Sequence, residues 1–488
     1  MSARAIMVMG TGSDVGKSLI VAGLARALVK RGLSVAPFKP QNMSNNAAVT
    51  RDGGEIGRAQ ALQARAARVP PSLHMNPVLL KPEAETGAQV IVQGKRAATL
   101  TARQFFSQRQ QFMPAILDSF HKLASAHDVI LVEGAGSPAE TNLRDGDLAN
   151  MGFAEAANMP VLLVGDIHRG GVIASLVGTL AVLDETDSKR IKGFLINKFH
   201  GDPQLFVEGR KFLEHRLGVP CVGIVPHFPA ASRLPAEDAV ALEELAASNS
   251  KGLKICVLRL PRIANFDDLD PLRQEPGVSV QFLTPGQPIP GDCSLVIIPG
   301  SKSTMADLAA LRAAGWDIDL AAHHRRGGRV LGLCGGFQML GRLIHDPQGL
   351  EGTPGSVAGL GLLDVETTLL PDKTTTETQA MHTLSGKLIS AYEIHLGETV
   401  GPDCARPFAQ KPGGPEGAIS PEGLVTGTYL HGCFTSDGFR SAYLKSLGAA
   451  VSSHAYEQGI EDTLDALAAH LEAHLGIDAI LRMAEPVT

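Results

Sequence analysis

The stretch Gly10-Thr-Gly-Ser-Asp-Val-Gly-Lys-Ser18 follows an apolar run at residues 6–9 and opens a helical segment. This order of strand, glycine loop and helix commits the chain to α/β packing, and it is the context in which loop N–H groups and a helix N-terminus cradle phosphates. Lys17 then supplies a charge to the β- and γ-phosphates of a nucleotide, and the Ser18 hydroxyl is a hard oxygen donor for Mg²⁺. The loop residues expected to hold ATP are Gly12, Ser13, Asp14, Val15, Gly16, Lys17 and Ser18. Mg²⁺ takes further help from a carboxylate at the end of a neighbouring strand, and Val129-Ile-Leu-Val-Glu133 supplies Glu133.

Short apolar runs bounded by Gly, Pro or Asn recur at residues 129–132, 161–164, 194–196 and 221–225, with helix-length segments between them. Strands apolar on both faces belong in a parallel sheet covered by helices, with ligands at the carboxyl ends of the strands. At 488 residues the chain exceeds one ordinary core, and about two to four folding units are expected. Residues 240–252, rich in Ala, Glu, Ser and Asn, read as a helix tail and linker. A second α/β series follows at 253–260, 278–283, 295–298, 329–333 and 424–430. Beyond residue 436 the pattern is helical, and Leu464, Leu467, Leu471 and Leu475 are spaced as a packing stripe. The expected division is a nucleotide-binding domain over 1–240, a second α/β domain over 252–442 and a helical extension over 443–488.

Composition narrows the partners. A net charge of −6 leaves no basic stripe for nucleic acid and no polybasic patch for a membrane, so small-molecule chemistry is expected. Residues 172–183 are too short to span a bilayer and read as a buried helix. The first strand begins too early to leave room for a cleavable leader, which points to a cytoplasmic protein. Six cysteines, far apart and without a C-x-x-C pair, indicate neither a disulfide framework nor a zinc site. The oligomeric state is not set by the sequence.

One cysteine stands in a special context. Arg329-Val-Leu-Gly-Leu-Cys334-Gly-Gly-Phe-Gln-Met-Leu340 reads as a strand, a sharp glycine turn bearing a nucleophile, and a helix. Such an elbow exposes the sulfur, favours its thiolate and offers backbone N–H groups to an oxyanion. A thiolate nucleophile needs a partner that moves protons, and Leu424-Val-Thr-Gly-Thr-Tyr-Leu-His431 delivers His431 at a strand end.

These motifs carry resemblances. The glycine loop departs from the usual P-loop, with Thr11 where a Gly stands five positions before Gly16, and so resembles the dethiobiotin synthetase branch of P-loop proteins. That resemblance implies Asp52 as a further metal ligand beside Ser18 and Glu133, with Asp14 and Glu55 as weaker alternatives. The Cys334 elbow followed by His431 resembles class I glutamine amidotransferases, in which the pair hydrolyses glutamine and releases ammonia. The usual family ending is His-Pro-Glu, with Glu orienting the imidazole. Here it is His431-Gly432-Cys433, so the third member of the triad is missing, a feature shared with the corrin-amidating branch, and Cys433 is a bystander.

A P-loop and an amidotransferase in one chain resemble the corrin a,c-diamide synthase and cobyric acid synthase amidotransferases. Lys39-Pro-Gln-Asn-Met-Ser-Asn-Asn46, Asp52-Gly-Gly-Glu-Ile-Gly57, Met75-Asn-Pro-Val-Leu-Leu-Lys-Pro82, Asn265-Phe-Asp-Asp-Leu-Asp-Pro271, Pro299-Gly-Ser-Lys-Ser-Thr304 and Tyr392-Glu-Ile-His-Leu-Gly397 narrow the match to the cobyric acid synthase family. The resemblance implies two α/β domains: a dethiobiotin synthetase-like ligase with a parallel sheet, then a class I amidotransferase. It implies ATP- and glutamine-dependent amidation of carboxylates b, d, e and g of adenosylcobyrinic acid a,c-diamide, a corrin substrate, in cobalamin biosynthesis, with the carboxylates activated as acyl phosphates. Lys39 joins the ATP-binding residues on this reading, although with Asn42 to Asn46 it also reads as an exposed polar loop. His168, in Gly165-Asp-Ile-His168-Arg-Gly-Gly, stands where the family has a second aspartate. Having both half-reactions in one chain leads us to expect a sheltered ammonia path, and free ammonia escaping during coupled turnover would count against it. The alternatives are a cobyrinic acid a,c-diamide synthase, a partitioning-type nucleotide switch, which leaves Cys334 and His431 without a role, and a scaffold with a degenerate amidotransferase half.

Overall fold

The computed structural model describes residues 2–84, 87–236, 252–450 and 453–487. The chain forms two compact units: one of Met1–Ser44, Thr50–Pro235 and Gly459–Thr488, the other of Asn45–Val49 and Ala236–Gln458. The linker expected at 240–252 lies, apart from Gly252, outside the described residues.

The first unit is built on parallel strands in the order Cys221–Pro226, Ile191–Phe199, Val161–Asp166, Arg4–Gly10, Val129–Glu133, Val35–Phe38. Alternate residues of Arg4–Gly10 are buried on opposite faces, which is why the run is apolar throughout rather than alternating. On one face Phe38, Phe120 and Phe153 meet with ring centroids 5.4–5.5 Å apart. A small second sheet, Gln41–Met43, Val78–Ala84, Gly87–Val92 and Lys95–Thr101, follows from the glycine- and proline-punctuated segment after residue 40.

The helix read as buried at 172–183 spans Val172–Val182 and buries only Val172, Leu176 and Thr179. Ile173, Val177 and Leu180 are partly buried against the same core, and Ser175 and Gly178 lie on the exposed side.

The tail is divided between the units. Asp437–Ser446 stays with the second, whereas residues from Gly459 return to the first. Leu464, Leu467, Ala468 and Leu471 are buried, and a methyl group at Gly23 of the helix Lys17–Lys30 would lie 2.5 Å from Leu471 Cδ1, so glycine permits the approach. Arg26, fully buried, donates to Glu461 at 2.7 Å, to Asp465 at 3.0 Å and to the carbonyl of Ala66 at 2.8 Å. The last strand, Glu485–Pro486, pairs antiparallel with Arg4 and Ala5. The stripe packs because it completes the nucleotide unit.

The second unit has parallel strands in the order Val278–Leu283, Leu253–Leu258, Leu295–Ile298, Arg329–Leu333, Val425–Thr428, closed by antiparallel Ala418–Ile419. A long hairpin, Glu366–His382 with Leu388–Val400, brings its second arm to the carboxyl end of this sheet, where Tyr392 and His431 exchange backbone hydrogen bonds at 2.9 and 3.1 Å. No helix among the described residues is long and apolar enough to cross a membrane.

Each leucine buried by the tail contributes about 1.5–3 kcal/mol of apolar burial, a large share of a net stability of about 5–15 kcal/mol. A chain ending at Gln458 is therefore expected to lose the cooperative thermal transition of the first unit, as followed by circular dichroism.

Candidate functional site

In the first unit the nucleotide loop leaves the central strand at Gly10, where a methyl group would lie 2.4 Å from Val15 Cγ2, so glycine lets the loop fold back on itself. The helix starts at Lys17 with Gly16 in the left-handed region at φ 95°. Lys17 Nζ, buried under the loop, donates to the carbonyls of Gly12 at 2.9 Å and Gly136 at 3.0 Å. Asn197 holds the loop from below by donating to Val15 O at 2.8 Å, and Lys198 donates to Asp14 O and pairs with Asp166 at 3.0 Å. Ser13 and Asp14 are exposed at the loop tip.

Glu133 ends its strand almost wholly buried. It accepts hydrogen bonds from Ser18 Oγ at 2.8 Å, Lys39 Nζ at 3.0 Å and Gln63 Nε2 at 2.5 Å. Lys39 is buried in this ion pair rather than carried on an exposed polar loop. The hydroxyl and carboxylate oxygens of Ser18 and Glu133 lie together, a hard oxygen pair that fits Mg²⁺.

Asp52 stands apart. It is exposed on a turn closed by Gly53 N to Thr50 O at 3.0 Å, and no hydrogen bond among the described residues joins it to Glu133. Glu55 is buried in an ion pair with Lys81. His168 occupies the end of the Val161–Asp166 strand, with its N–H on Asp166 at 2.7 Å and its ring 2.8 Å from His200 Nε2.

In the second unit Cys334 sits between the strand Arg329–Leu333 and the helix Gly335–Leu340 with φ 51° and ψ −108°. A non-glycine residue in that region is strained, and the packing around it must hold it there. Glycines permit that packing: a methyl at Gly336 would lie 2.0 Å from Ile298 O, and one at Gly335 3.0 Å from Ser301 N. The carbonyls of Ile394 and Leu396 on the long hairpin take Cys334 Sγ at 3.6 Å and Gln338 Nε2 at 2.9 Å.

His431 is buried beside Cys334. Its ring stacks on Tyr392 with centroids 5.3 Å apart, and Gly300 approaches so closely that a methyl there would lie 3.2 Å from His431 Cε1. His395 stacks on Tyr429 at 3.8 Å instead.

Sequence reasoning found no carboxylate for His431, but the structure brings one to it: Asp268 Oδ2 lies 2.6 Å from His431 Nδ1, and Asp268 Oδ1 accepts Gly432 N–H at 2.6 Å. The residue lies 163 positions earlier in the chain, inside the Asn265-to-Pro271 motif, and carries no local sign of its use. Burial opposes a charge on the ring, but the Asp268 carboxylate and Cys334 outweigh it, pushing His431 up to about 10. The imidazolium therefore persists through neutral pH, the state that pairs with a thiolate. Cys433 is buried, and burial raises its thiol well above the usual range, which keeps it protonated.

Comparison with known proteins agrees with this two-part layout. Residues 6–241 match the CobQ/CobB/MinD/ParA nucleotide binding domain, and residues 254–439 match the CobB/CobQ-like glutamine amidotransferase domain. A cobyric acid synthase of Cereibacter sphaeroides is 62% identical over 98% of this chain and 99% of that protein. Those of Paracoccus denitrificans and Methylorubrum populi are 60% identical over 98% of this chain and 99% of theirs, and 59% identical over 99% and 100%.

At Gly336 the obstructing atom is a backbone carbonyl that no side-chain rotation can clear. Gly336→Ala is expected to destabilise the second unit by about 2–3 kcal/mol in urea unfolding and to slow alkylation of Cys334 by iodoacetamide.

Proposed function

The chain belongs to the cobyric acid synthase family, and from that premise we propose that it amidates the peripheral carboxylates b, d, e and g of adenosylcobyrinic acid a,c-diamide, with glutamine as nitrogen donor and ATP as the driving reactant. The observation that carries the reading is the strained Cys334 elbow with a buried His431 beside it, its Nδ1 held by Asp268 at 2.6 Å, in a chain whose other unit holds a nucleotide loop.

On this reading Cys334 attacks the carboxamide carbon of glutamine as a thiolate. The developing oxyanion is met by backbone N–H groups beside the elbow, for which Gly335 and the adjoining Ser301 are the nearest candidates. His431 gives its proton to the departing nitrogen, ammonia leaves, and water then hydrolyses the thioester to glutamate.

In the nucleotide unit the loop from Gly12 to Ser18 cradles phosphates, with Lys17 bonded to the loop and Lys39 bonded to Glu133 as the cations that would meet them. Phosphoryl transfer from ATP converts a corrin carboxylate, a poor acyl donor, into an acyl phosphate, and ammonia displaces phosphate to leave the amide. Ser18 and Glu133 would hold Mg²⁺, which supplies charge neutralisation to the phosphates when bound. Asp52 is the remaining candidate ligand, presented to solvent by its turn.

Purified protein with Mg-ATP, glutamine and the a,c-diamide should convert the corrin stepwise to the fully amidated acid by mass spectrometry, with phosphate released in parallel. Cys334→Ala is expected to lower glutamine-driven turnover by more than about 10³-fold while activity with high ammonium survives, and Lys17→Ala should lower both by about 10²-fold or more. Glutaminase activity without any corrin product would overturn the substrate and leave the two-part chemistry.

A further inference from the structure

We propose that Asp268 is the positioning residue of the glutaminase centre, fixing the orientation and charge state in which the His431 imidazole serves Cys334. The inference rests on the reading of Cys334 and His431 given above, and it concerns a carboxylate that the local sequence after His431 does not supply.

The geometry is that of a two-point clamp. One carboxylate oxygen takes His431 Nδ1 and the other takes the N–H of Gly432, each at 2.6 Å, so the ring and the turn beyond it are held by one side chain. Gly432 permits this by turning through the left-handed region at φ 72°. The carboxylate is itself fixed, since Asp268 lies in the short helical turn Phe266–Leu269, its N–H bonded to Asn265 O at 3.1 Å, with Asn265 in the left-handed region at φ 52°. Both Asp268 and His431 are buried, so neither ring nitrogen is left to bulk water.

With Nδ1 committed to Asp268, the other ring nitrogen is the one left for Cys334, the ring's second hydrogen-bonding partner. A neutral ring held this way carries its proton on Nδ1, and a second proton on the other nitrogen makes the imidazolium that the carboxylate stabilises. The groups packed around the ring are Asp268, the Cys334 thiol, the Tyr392 ring and the apolar edge of Gly300. Glu416 lies behind, bound to Tyr429 N at 2.6 Å and Thr428 Oγ1 at 2.7 Å, and Cys433 points into the Phe434 cluster. Asp268 is thus the carboxylate bonded to the ring.

A merely structural role, holding the Gly432 turn, makes a different prediction. In Asp268→Asn the amide oxygen still accepts Gly432 N–H, but the amide nitrogen cannot accept from Nδ1–H, so the turn survives while the ring loses its proton acceptor and counter-charge. The test is the pH dependence of iodoacetamide alkylation at Cys334, followed on its peptide by mass spectrometry in the full-length protein, together with glutaminase kcat/KM.

The wild-type profile at Cys334 is the reference against which each variant is read. Asp268→Asn should move the acid limb of the profile upward by at least about one pH unit and lower kcat/KM about 10²-fold or more. Asp268→Glu, which keeps the charge, should bring the limb back toward the wild-type position even if the rate stays low. A profile for Asp268→Asn that superimposes on wild type, with kcat/KM within twofold, overturns the proposal. Should the Asn variant lose its cooperative melt, the Glu variant decides: a limb at the wild-type position sustains the proposal, and a limb shifted to the Asn-like alkaline range overturns it. Failure of the wild-type protein itself to alkylate at Cys334 or to hydrolyse glutamine defeats the underlying reading and this inference with it.

Discussion

A strand buried on both faces can present a polar side chain only where it stops, and that constraint places the reactive groups of this chain. Glu133 ends a strand, Cys334 follows one, His431 lies just beyond another, and the nucleotide loop leaves a fourth. At those ends the backbone turns into a helix or a tight loop, and the turn is possible because Gly10, Gly16, Gly335 and Gly336 leave room that a methyl group would fill. Parallel sheet, sharp exit and a functional side chain at that exit are one arrangement used twice, once at the nucleotide loop and once at the Cys334 elbow.

The two units meet the cost of burying charge in the same way. An isolated carboxylate taken out of water costs several kcal/mol, so each buried acid is surrounded by donors. Glu133 takes Ser18, Lys39 and Gln63, and Asp268 takes His431 and Gly432. The difference lies in what the carboxylates serve. Glu133 shares its oxygens with a hydroxyl and a lysine beside a phosphate cradle, an arrangement a cation can enter by taking over those oxygens. Asp268 has both oxygens committed, which suits a part that must not move.

Much of this could be read from residues that are neighbours in sequence. The glycine loop and the Cys334 elbow are local, and apolar runs on both faces mark the parallel strands wherever they are short and cleanly bounded. The hairpin Glu366–His382 with Leu388–Val400 escaped that reading because its strands are half-exposed and polar, with a Thr run that carries no apolar period, whereas the small sheet from Gln41 to Thr101 escaped it although Val78, Leu79, Leu80, Val90 and Ile91 are buried. The return of the tail to the first unit is invisible in its own stripe, since a stripe states that a helix packs but not against what. Arg26 and Gly23 are the complementary half of that contact and lie more than 400 residues earlier. Asp268 is missed for the same reason: a search for the third triad member looks two residues past the histidine, whereas pairing in space is indifferent to that spacing.

The local ending His431-Gly432-Cys433 also explains why the carboxylate has to come from elsewhere. Position 433 is 1% exposed and packs with Leu430, Phe434 and Phe439, so a glutamate there would be driven into an apolar cluster. The turn at Gly432 directs the chain into that cluster rather than back over the imidazole, and it leaves the Gly432 N–H pointing at the space where an orienting carboxylate belongs. Asp268 fills that space and satisfies that N–H with its second oxygen. The loss of the usual glutamate and the presence of Asp268 are thus two sides of one packing solution: once the segment after His431 is spent on the core, the ring can be oriented only by a residue delivered from the loop after the first strand of the unit.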